Sequence, residues 1–174
     1  TTGEVPSAKA EPAPVASSQP KTVETAAPAS GKKVRIQLAS QSMTLADASG
    51  TPIRRYAVST ASLGAGEQAG SFQTPRGSHI IRAKIGAGQP CGTVFKARRP
   101  TGEIWTPELH EQFPGRHWIL SRILWLSGCE PGCNRLGNVD SMRRYIYIHG
   151  TPDSEPIGAP ASHGCIRMRN RDVI

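Results

Sequence analysis

The sequence has few aromatic residues and no long apolar run. Phe, Trp and Tyr together make up 5% of its 174 residues. No apolar stretch approaches the roughly 18 residues that a membrane-spanning helix needs. Glycine and proline are abundant instead, at 18 and 15 residues. This mixture favours a turn-rich β architecture over a helix bundle.

The charge of the chain is positive, and it is concentrated in one part of the sequence. The formal net charge is +8, and residues 32–174 hold 19 Lys or Arg against 10 Asp or Glu. Such a basic domain is attracted to polyanions or to an acidic matrix. The basic residues are scattered singly or in pairs and do not alternate with aromatic side chains, which argues against a nucleic-acid partner.

Residues 1–31 differ in composition from the rest of the chain. They are rich in Ala, Pro, Ser, Thr and Glu, and their larger apolar residues are three valines. Such a segment cannot bury enough apolar surface to offset its ordering entropy, so we expect a disordered tether. The chain begins at Thr1 rather than Met, as expected if a signal peptide or anchor was removed or never included. A tether of this kind suits a protein that works near a membrane.

From Lys32 onwards, alternating apolar and polar residues predict a β-rich domain. We expect a β-meander over residues 33–60 and a strand in "HIIRAKI". A short helix is predicted from Pro107 to Gln112. The apolar segment "HWILSRILWLSG" reads as a buried strand rather than a membrane-surface helix, because it has no basic amphipathic face. "RRYIYIHG" predicts a strand that ends at His149, and Asn170 is expected to cap a final helix.

The segment "SHGCIR", residues 162–167, has the features of a reactive-cysteine site. A nucleophilic cysteine needs a thiolate of low pKa, a proton acceptor, and backbone N–H groups directed at the oxyanion. Gly164 permits a sharp turn that exposes the N–H groups of Gly164 and Cys165. Arg167 and Arg169 favour an anion nearby. His149 supplies the proton acceptor, and the Gly150 carbonyl is expected to orient its ring.

These motifs resemble those of a known enzyme family. "YIHGTP", followed by "SHGCIRMRN", resembles the catalytic signature of the YkuD-like L,D-transpeptidases, which cross-link bacterial cell walls. "YAVSTA", "GSFQTPRGSHIIRAKIG" and "GRHWILSRILWL" resemble further blocks of the family, in the same order. The resemblance covers about residues 32–174. It implies a mainly β, sandwich- or barrel-like catalytic domain with one or two short helices.

The resemblance also implies catalytic roles. Cys165 would attack the diaminopimelate carbonyl of a peptidoglycan tetrapeptide stem and expel D-Ala, and His149 would act as the base. The resulting thioester would pass to a diaminopimelate amine of a second stem. Arg167 would hold a stem-peptide carboxylate. The oxyanion and its surroundings would be shaped by His163, Gly164, Gly150 and Ser162.

The family resemblance has further implications. It implies no metal and no organic cofactor, acylation by carbapenems, and a periplasmic or cell-envelope location, with any membrane link through a removed N-terminal anchor or signal. Domains of the family usually continue past "NRDVI" into a helix and a closing strand. If the chain ends at Ile174, we expect it to lack part of its core or to be a fragment.

Two other functions remain open at the level of the sequence. The first is a hydrolytic relative with the same nucleophile, either a carboxypeptidase or endopeptidase on stem peptides or an amidase that releases a wall-linked protein. The second is a non-catalytic peptidoglycan-binding module, stabilised in one version by zinc. Cys129 and Cys133 enclose a tight turn that suits a disulfide, or half of a zinc site together with His149, His163 and Cys165. The Cys129–Cys133 disulfide is the preferred interpretation, but the sequence leaves open whether Cys91 is unpaired or takes part in another pairing.

Overall fold

The computed structural model describes residues 31–174, and the predicted tether over residues 1–31 lies outside this part apart from Gly31. The described residues form nine strands and two short α-helices, so the expectation of a mainly β domain is confirmed. The strands are β1 (Lys33–Gln37), β2 (Ser42–Ala46), β3 (Pro52–Ala57), β4 (His79–Ile85), β5 (Thr93–Lys96), β6 (Arg99–Ile104), β7 (Leu120–Gly128), β8 (Tyr147–Thr151) and β9 (Ile166–Arg169). The helices are α1 (Pro107–Gln112) and α2 (Asn170–Val173).

The first three strands form a small antiparallel sheet in the order β1-β2-β3. Successive side chains on a strand point to opposite faces, and Ile36, Met43 and Tyr56 fall on one face because Met43 pairs with both of the others. That face packs against a hydrophobic cluster that includes Leu126, Ile148 and Ile166. Met43 is part of this cluster and is 4% exposed. The predicted meander is therefore confirmed.

The other six strands form a second sheet in the order β6-β5-β7-β8-β9, with β4 also paired to β7. β7 lies in the interior of this sheet, and its side chains belong to three different hydrophobic clusters, through Leu126, Leu120 and Ile123, which explains its apolar sequence. Leu120 and Ile123 are fully buried, and burying each contributes about 1.5–3 kcal/mol. The prediction of a buried strand in "HWILSRILWLSG" is confirmed. Within the described residues the sheets do not close into a barrel.

Strands β8 and β9 lie parallel and carry the motifs singled out in the sequence. His149 pairs with Arg167, and Thr151 pairs with Arg169. The prediction that the strand ends at His149 was wrong, because pairing with β9 extends β8 to Thr151 and makes His149 the third of its five residues. The other edge of β9 is occupied by Ser59, which exchanges two backbone hydrogen bonds with Arg167.

The two helices are short, and one begins differently from expectation. α1 covers the predicted residues, and Thr106 caps it by accepting a hydrogen bond from the Leu109 N–H. α2 begins at Asn170, but its side chain does not cap the helix. Asn170 instead donates to the Thr151 carbonyl and accepts from the Ser121 hydroxyl, so this buried amide joins β7, β8 and α2. Among residues 31–174 no helix is long and apolar enough to span a membrane.

The cysteines differ from the sequence-based expectation. All four are free in the structure, so the predicted Cys129–Cys133 disulfide is not present. Backbone hydrogen bonds from Cys133 and Asn134 to the Glu130 carbonyl, together with the buried Asn134 side chain, hold this turn instead. No group of three or more His, Cys, Asp or Glu side chains in residues 31–174 is arranged to hold a metal ion, which contradicts the zinc alternative.

Candidate active site

Cys165 immediately precedes β9 and faces the residues that lead into β8. Its thiol donates to the Tyr145 carbonyl and accepts from the Tyr147 N–H, with both distances at 3.4 Å. The side chain packs with Phe95, Ile123 and Tyr147 while remaining partly exposed. Two backbone groups therefore hold the sulfur in place, in a residue that is itself partly exposed.

His149 lies on β8 and is 4% exposed. Its Nδ1 is 2.7 Å from the Gly150 carbonyl oxygen. Because a carbonyl oxygen can only accept, Nδ1 carries the proton, and in the neutral ring Nε2 keeps the lone pair that a base requires. A side chain at Gly150 would disturb this arrangement, since a Cβ there would collide with the Leu120 carbonyl and the Asn170 side-chain oxygen.

The resting charge state differs from the thiolate that the sequence led us to expect. Burial raises the pKa of Cys165 to about 11, against the opposing effects of the Tyr147 N–H, Arg167 and Arg144. Burial lowers the pKa of His149 to about 4. No hydrogen bond joins the thiol to the imidazole within the described residues. The resting pair is therefore a neutral thiol and a neutral imidazole, because the site desolvates both groups.

Ser162 and Gly164 shape the turn that carries the cysteine. The Ser162 hydroxyl donates to the Cys165 carbonyl at 2.5 Å and accepts from the Gly164 N–H at 3.2 Å. Gly164 has a φ of +126°, which L-residues rarely adopt, and a Cβ there would press on Gln73 and Ile146. The Gly164 N–H, which we expected to face an oxyanion, donates to the Ser162 hydroxyl in this structure.

The peptide bond between Gly164 and Cys165 is fixed from the opposite side by Thr74. The buried Thr74 hydroxyl donates to the Gly164 carbonyl at 2.9 Å and accepts from the Ala61 N–H at 3.0 Å. The N–H of a trans peptide points away from its carbonyl, so this bond sets the direction of the Cys165 N–H. Among the described residues that N–H has no acceptor, so it is available to an incoming oxygen.

Arg144 holds the loop of residues 63–74, which precedes β4, near the cysteine. Its guanidinium donates to the backbone carbonyls of Gly66, Glu67 and Gln73 at 2.6–3.1 Å. Arg144 also favours the ionised form of Cys165, from a position outside the SHGC motif. A single side chain therefore both orders the loop and supplies positive charge near the sulfur.

Arg167 and Arg169 have partners of their own. Arg167 donates to the Glu155 carboxylate at 3.0 Å, and Arg169 donates to the backbone carbonyls of Asp153 and Glu155. Arg167 also favours a thiolate at Cys165. Two arginines, Arg144 and Arg167, thus place positive charge near the sulfur, where negative charge develops during acyl transfer.

His163 is exposed and lies between two cavities. One, of about 320 Å³, is lined in part by Phe72, Arg143 and Arg144. The other, of about 210 Å³, is lined in part by Trp118 and Arg167, and both cavities include His163. The His163 side chain makes no hydrogen bond within the described residues and packs edge-on to His117 at 4.9 Å. Both cavities therefore border the residue that lies two positions before Cys165.

Sequence reasoning missed several residues around the site. Thr74, Arg144 and the Tyr145–Tyr147 backbone were not singled out. Thr74 and the Tyr145–Tyr147 backbone contact Cys165 or its flanking peptide, and Arg144 places positive charge near the sulfur. Arg144 lies in the same segment as His149, and Thr74 lies in the block "GSFQTPRGSH". Both residues therefore lie in segments that the sequence analysis had noted, but the sequence did not indicate which backbone groups their side chains contact.

Comparison with known proteins indicates a family. The family model of the YkuD L,D-transpeptidase catalytic domain matches residues 31–174. A probable L,D-transpeptidase of Escherichia coli, YbiS, is 30% identical over 112 residues, which are 59% of this chain and 35% of that protein. The match therefore spans about a third of that curated relative.

Two solved structures also align with the chain. An L,D-transpeptidase from Xylanimonas cellulosilytica matches at 21% identity and a TM-score of 0.43, covering 83% of this chain and 52% of that one. An L,D-transpeptidase from Mycobacterium smegmatis matches at 17% identity and a TM-score of 0.47, covering 82% and 52%.

Proposed function

Since the chain belongs to the family of L,D-transpeptidase catalytic domains, we propose that it acts as a cysteine L,D-transpeptidase on peptidoglycan stem peptides. Cys165 is the nucleophile in this proposal and His149 the base. The donor is a tetrapeptide stem, and the acceptor is a diaminopimelate amine of a second stem. Residues 32–174 are the catalytic domain, the segment before them is a tether, and the site of action is the cell envelope.

The first half of the reaction forms a thioester. As the sulfur bonds to the diaminopimelate carbonyl carbon, His149 Nε2 takes the thiol proton. The carbonyl oxygen becomes an oxyanion at the Cys165 N–H. The C–N bond then breaks, and the leaving D-Ala amine receives the proton from His149. Because the resting groups are both neutral, proton transfer accompanies attack, and the thiol must first leave its contact with the Tyr145 carbonyl.

The second half transfers the acyl group. An acceptor amine attacks the thioester carbonyl, with His149 taking a proton from the amine. The C–S bond breaks, and the proton returns to the sulfur. Arg144 and Arg167 stabilise the sulfur as it leaves with negative charge. The basic charge of residues 32–174 supports an acidic peptidoglycan partner.

One observation carries the proposal. Cys165 is a partly exposed residue whose own backbone N–H has no acceptor in the described residues, and a buried Thr74 hydroxyl sets the direction of that N–H. An inert structural cysteine needs neither feature. A pre-oriented donor beside a nucleophile is the arrangement that stabilises the oxyanion of acyl transfer.

Product analysis tests this function directly. The protein is incubated with disaccharide tetrapeptide, and the products are separated and weighed by mass spectrometry. We expect cross-linked dimers and released D-Ala. Tripeptide without dimers would identify a hydrolase instead, and unchanged substrate would contradict catalysis on this substrate.

Thr74→Val tests whether the Thr74 hydroxyl fixes the direction of the Cys165 N–H. Valine matches threonine in shape but cannot donate to the Gly164 carbonyl, so we expect the Cys165 N–H to lose its fixed direction. The acylation rate should fall by roughly 10- to 100-fold, as when an oxyanion donor is weakened. Stopped-flow acylation measures this, with the melting temperature as a check on folding.

Thr101→Val is the matched control, because that hydroxyl donates to the backbone carbonyl of Val94, on β5. It should leave acylation unchanged. Thr74→Ser, which restores the hydroxyl, should recover most of the lost rate. A Thr74→Val enzyme with normal acylation would show that this hydroxyl does not position the oxyanion donor.

A further inference from the structure

β7 contains an irregularity directly opposite His149. Leu120 of β7 pairs with Gly150 of β8. The next pair joins His149 to Ile123, so β7 has two additional residues opposite the peptide bond between these two residues of β8. One of the two, Ser121, is fully buried and has a φ of +66°, which L-residues rarely adopt. Bulges often lie next to active sites, where they redirect side chains, but no step of the proposed reaction uses Ser121.

The Ser121 hydroxyl connects this bulge to Asn170. It accepts a hydrogen bond from the Gly92 N–H at 2.9 Å and donates to Asn170 Oδ1 at 2.7 Å. Asn170 Nδ2 then donates to the Thr151 carbonyl at 3.1 Å. A backbone N–H can only donate and a carbonyl oxygen can only accept. The two ends of this series therefore fix the direction of each hydrogen bond and the orientation of the Asn170 amide.

Both polar atoms of Asn170 contact the same short segment of β8. Its Oδ1 and the Leu120 carbonyl lie so close to the Cα of Gly150 that a Cβ there would collide with both. Its Nδ2 holds the Thr151 carbonyl. Gly150 and Thr151 share the peptide bond whose carbonyl oxygen is 2.7 Å from His149 Nδ1. Asn170 therefore restricts this peptide bond from both of its ends.

The position of Asn170 is itself fixed by the fold. Asn170 is 8% exposed, and buried polar groups are retained where they have hydrogen-bond partners, as both atoms of this amide do. The helix α2, which begins at Asn170, is held by Val173, which belongs to the same hydrophobic cluster as Ile148 and Ile166. The amide is therefore a fixed contact against β8.

We propose that Asn170, held by Ser121, is a positioning residue for His149. This proposal rests on the proposed function, in which His149 is the base. The hydrogen bond that one ring nitrogen makes determines which tautomer of a neutral histidine is present. By fixing the Gly150 carbonyl, Asn170 keeps the ring proton on Nδ1, so that Nε2 is free to take the thiol proton. Asn170 acts through the backbone of β8 and not on the reacting atoms.

The ring nitrogen signals of His149 test this role without catalysis. In protein with ¹⁵N-labelled histidine, a ring in one tautomer gives two well-separated nitrogen shifts. A ring that exchanges between tautomers gives two shifts that approach one another. The signals are assigned with His149→Asn. We expect separate shifts in the wild type at neutral pH and converging shifts in Asn170→Ala, because the Gly150 carbonyl is then no longer fixed.

Ser121→Gly gives the same test in a variant that should fold. Glycine suits the positive φ at this position, but it lacks the hydroxyl that holds Asn170. We expect the His149 shifts to converge in this variant also. Separate shifts in a folded Asn170→Ala protein would overturn the proposal, and so would separate shifts in Ser121→Gly if Asn170→Ala does not fold.

Asn134→Ala is the matched control. Asn134 is also a buried asparagine, and its side chain bonds to the backbone at Arg76, Ser78 and Glu130. Its loss should lower the melting temperature, as the loss of Asn170 should, but the His149 shifts should stay separate. Equal convergence in Asn134→Ala would show a general loosening of the fold and would overturn the specific role of Asn170.

Acylation kinetics connect this geometry to the reaction. Asn170→Ala should lower the limiting rate of acylation by a carbapenem by roughly 10- to 100-fold, the loss expected when a catalytic group is displaced. The half-saturating concentration should stay unchanged, because Asn170 does not bind the ligand in this proposal. In a His149→Asn background the same substitution should have almost no further effect, since Asn170 acts through His149. A loss of equal size in that background would overturn the proposal.

The positioning role and the proposed function fail in different ways. A wild-type protein without acylation or transfer, whose His149 shifts still converge in Asn170→Ala, would overturn the proposed function while supporting the contact between Asn170 and β8 as the one that orients the ring. An active protein whose His149 shifts do not depend on Asn170 would overturn the positioning role alone.

Discussion

Cys165→Ala should abolish both thioester formation and transfer. The proposed mechanism has no route to product without a covalent intermediate, and removing a nucleophile in a comparable enzyme costs on the order of 10⁶ in kcat. The substitution deletes one sulfur from a partly exposed position, so the fold should persist. Product formation from disaccharide tetrapeptide, followed by mass spectrometry, measures the effect.

The other three cysteines provide a control for the loss of a thiol. Cys91, Cys129 and Cys133 are all exposed, and none is in a disulfide. A triple variant with alanine at these positions should keep the wild-type rate. Retained transfer in Cys165→Ala together with lost transfer in the triple variant would place the nucleophile elsewhere.

His149→Asn should lower the acylation rate by roughly 10² to 10⁴, the usual contribution of a positioned general base. The Asn amide can still donate to the Gly150 carbonyl, but it offers no basic nitrogen. Single-turnover acylation measures the loss. His117→Asn alters an exposed ring beside His163 and should retain acylation; an equal loss in both variants would argue against a specific role for His149.

The pH dependence of wild-type acylation should reflect the lowered pKa of His149. Its pKa lies near 4 rather than 6.5, because burial disfavours the charged ring. The competent neutral form is present above the folded pKa and is lost as the pH falls through about 4. With the thiol pKa near 11, the rate should stay level from about pH 5 to pH 9. An inflection near pH 6.5 would contradict the buried neutral imidazole.

Local sequence patterns predicted α1 and β7, because the residues that determine each of these elements are close together in the chain. α1 has a Thr N-cap and a proline in its first turn, and β7 is an apolar run long enough for the interior strand of a sheet. Both were predictable because the signals lie within a few residues. His149 and Cys165 were predicted as a pair from family-like motifs, and the structure carries His149 on β8 and Cys165 immediately before its partner strand β9.

The hydrogen bonds around Cys165 join residues that are far apart in the sequence, so local sequence patterns could not predict them. Thr74 and the Gly164 carbonyl are 90 positions apart, and the length of β8 is set by β9. Asn170 looked like a helix cap, but it is buried and bonds to Ser121 and Thr151 instead. The raised pKa of Cys165 has the same origin, because burial by the assembled sheet outweighs the nearby arginines.

Mapping the acylated residue tests the central claim most directly. The protein is incubated with a carbapenem, digested, and analysed by mass spectrometry. The account predicts one adduct per chain, on the peptide that contains Cys165, and its absence in Cys165→Ala. An adduct on Cys91, Cys129 or Cys133, or no adduct at all, would contradict it.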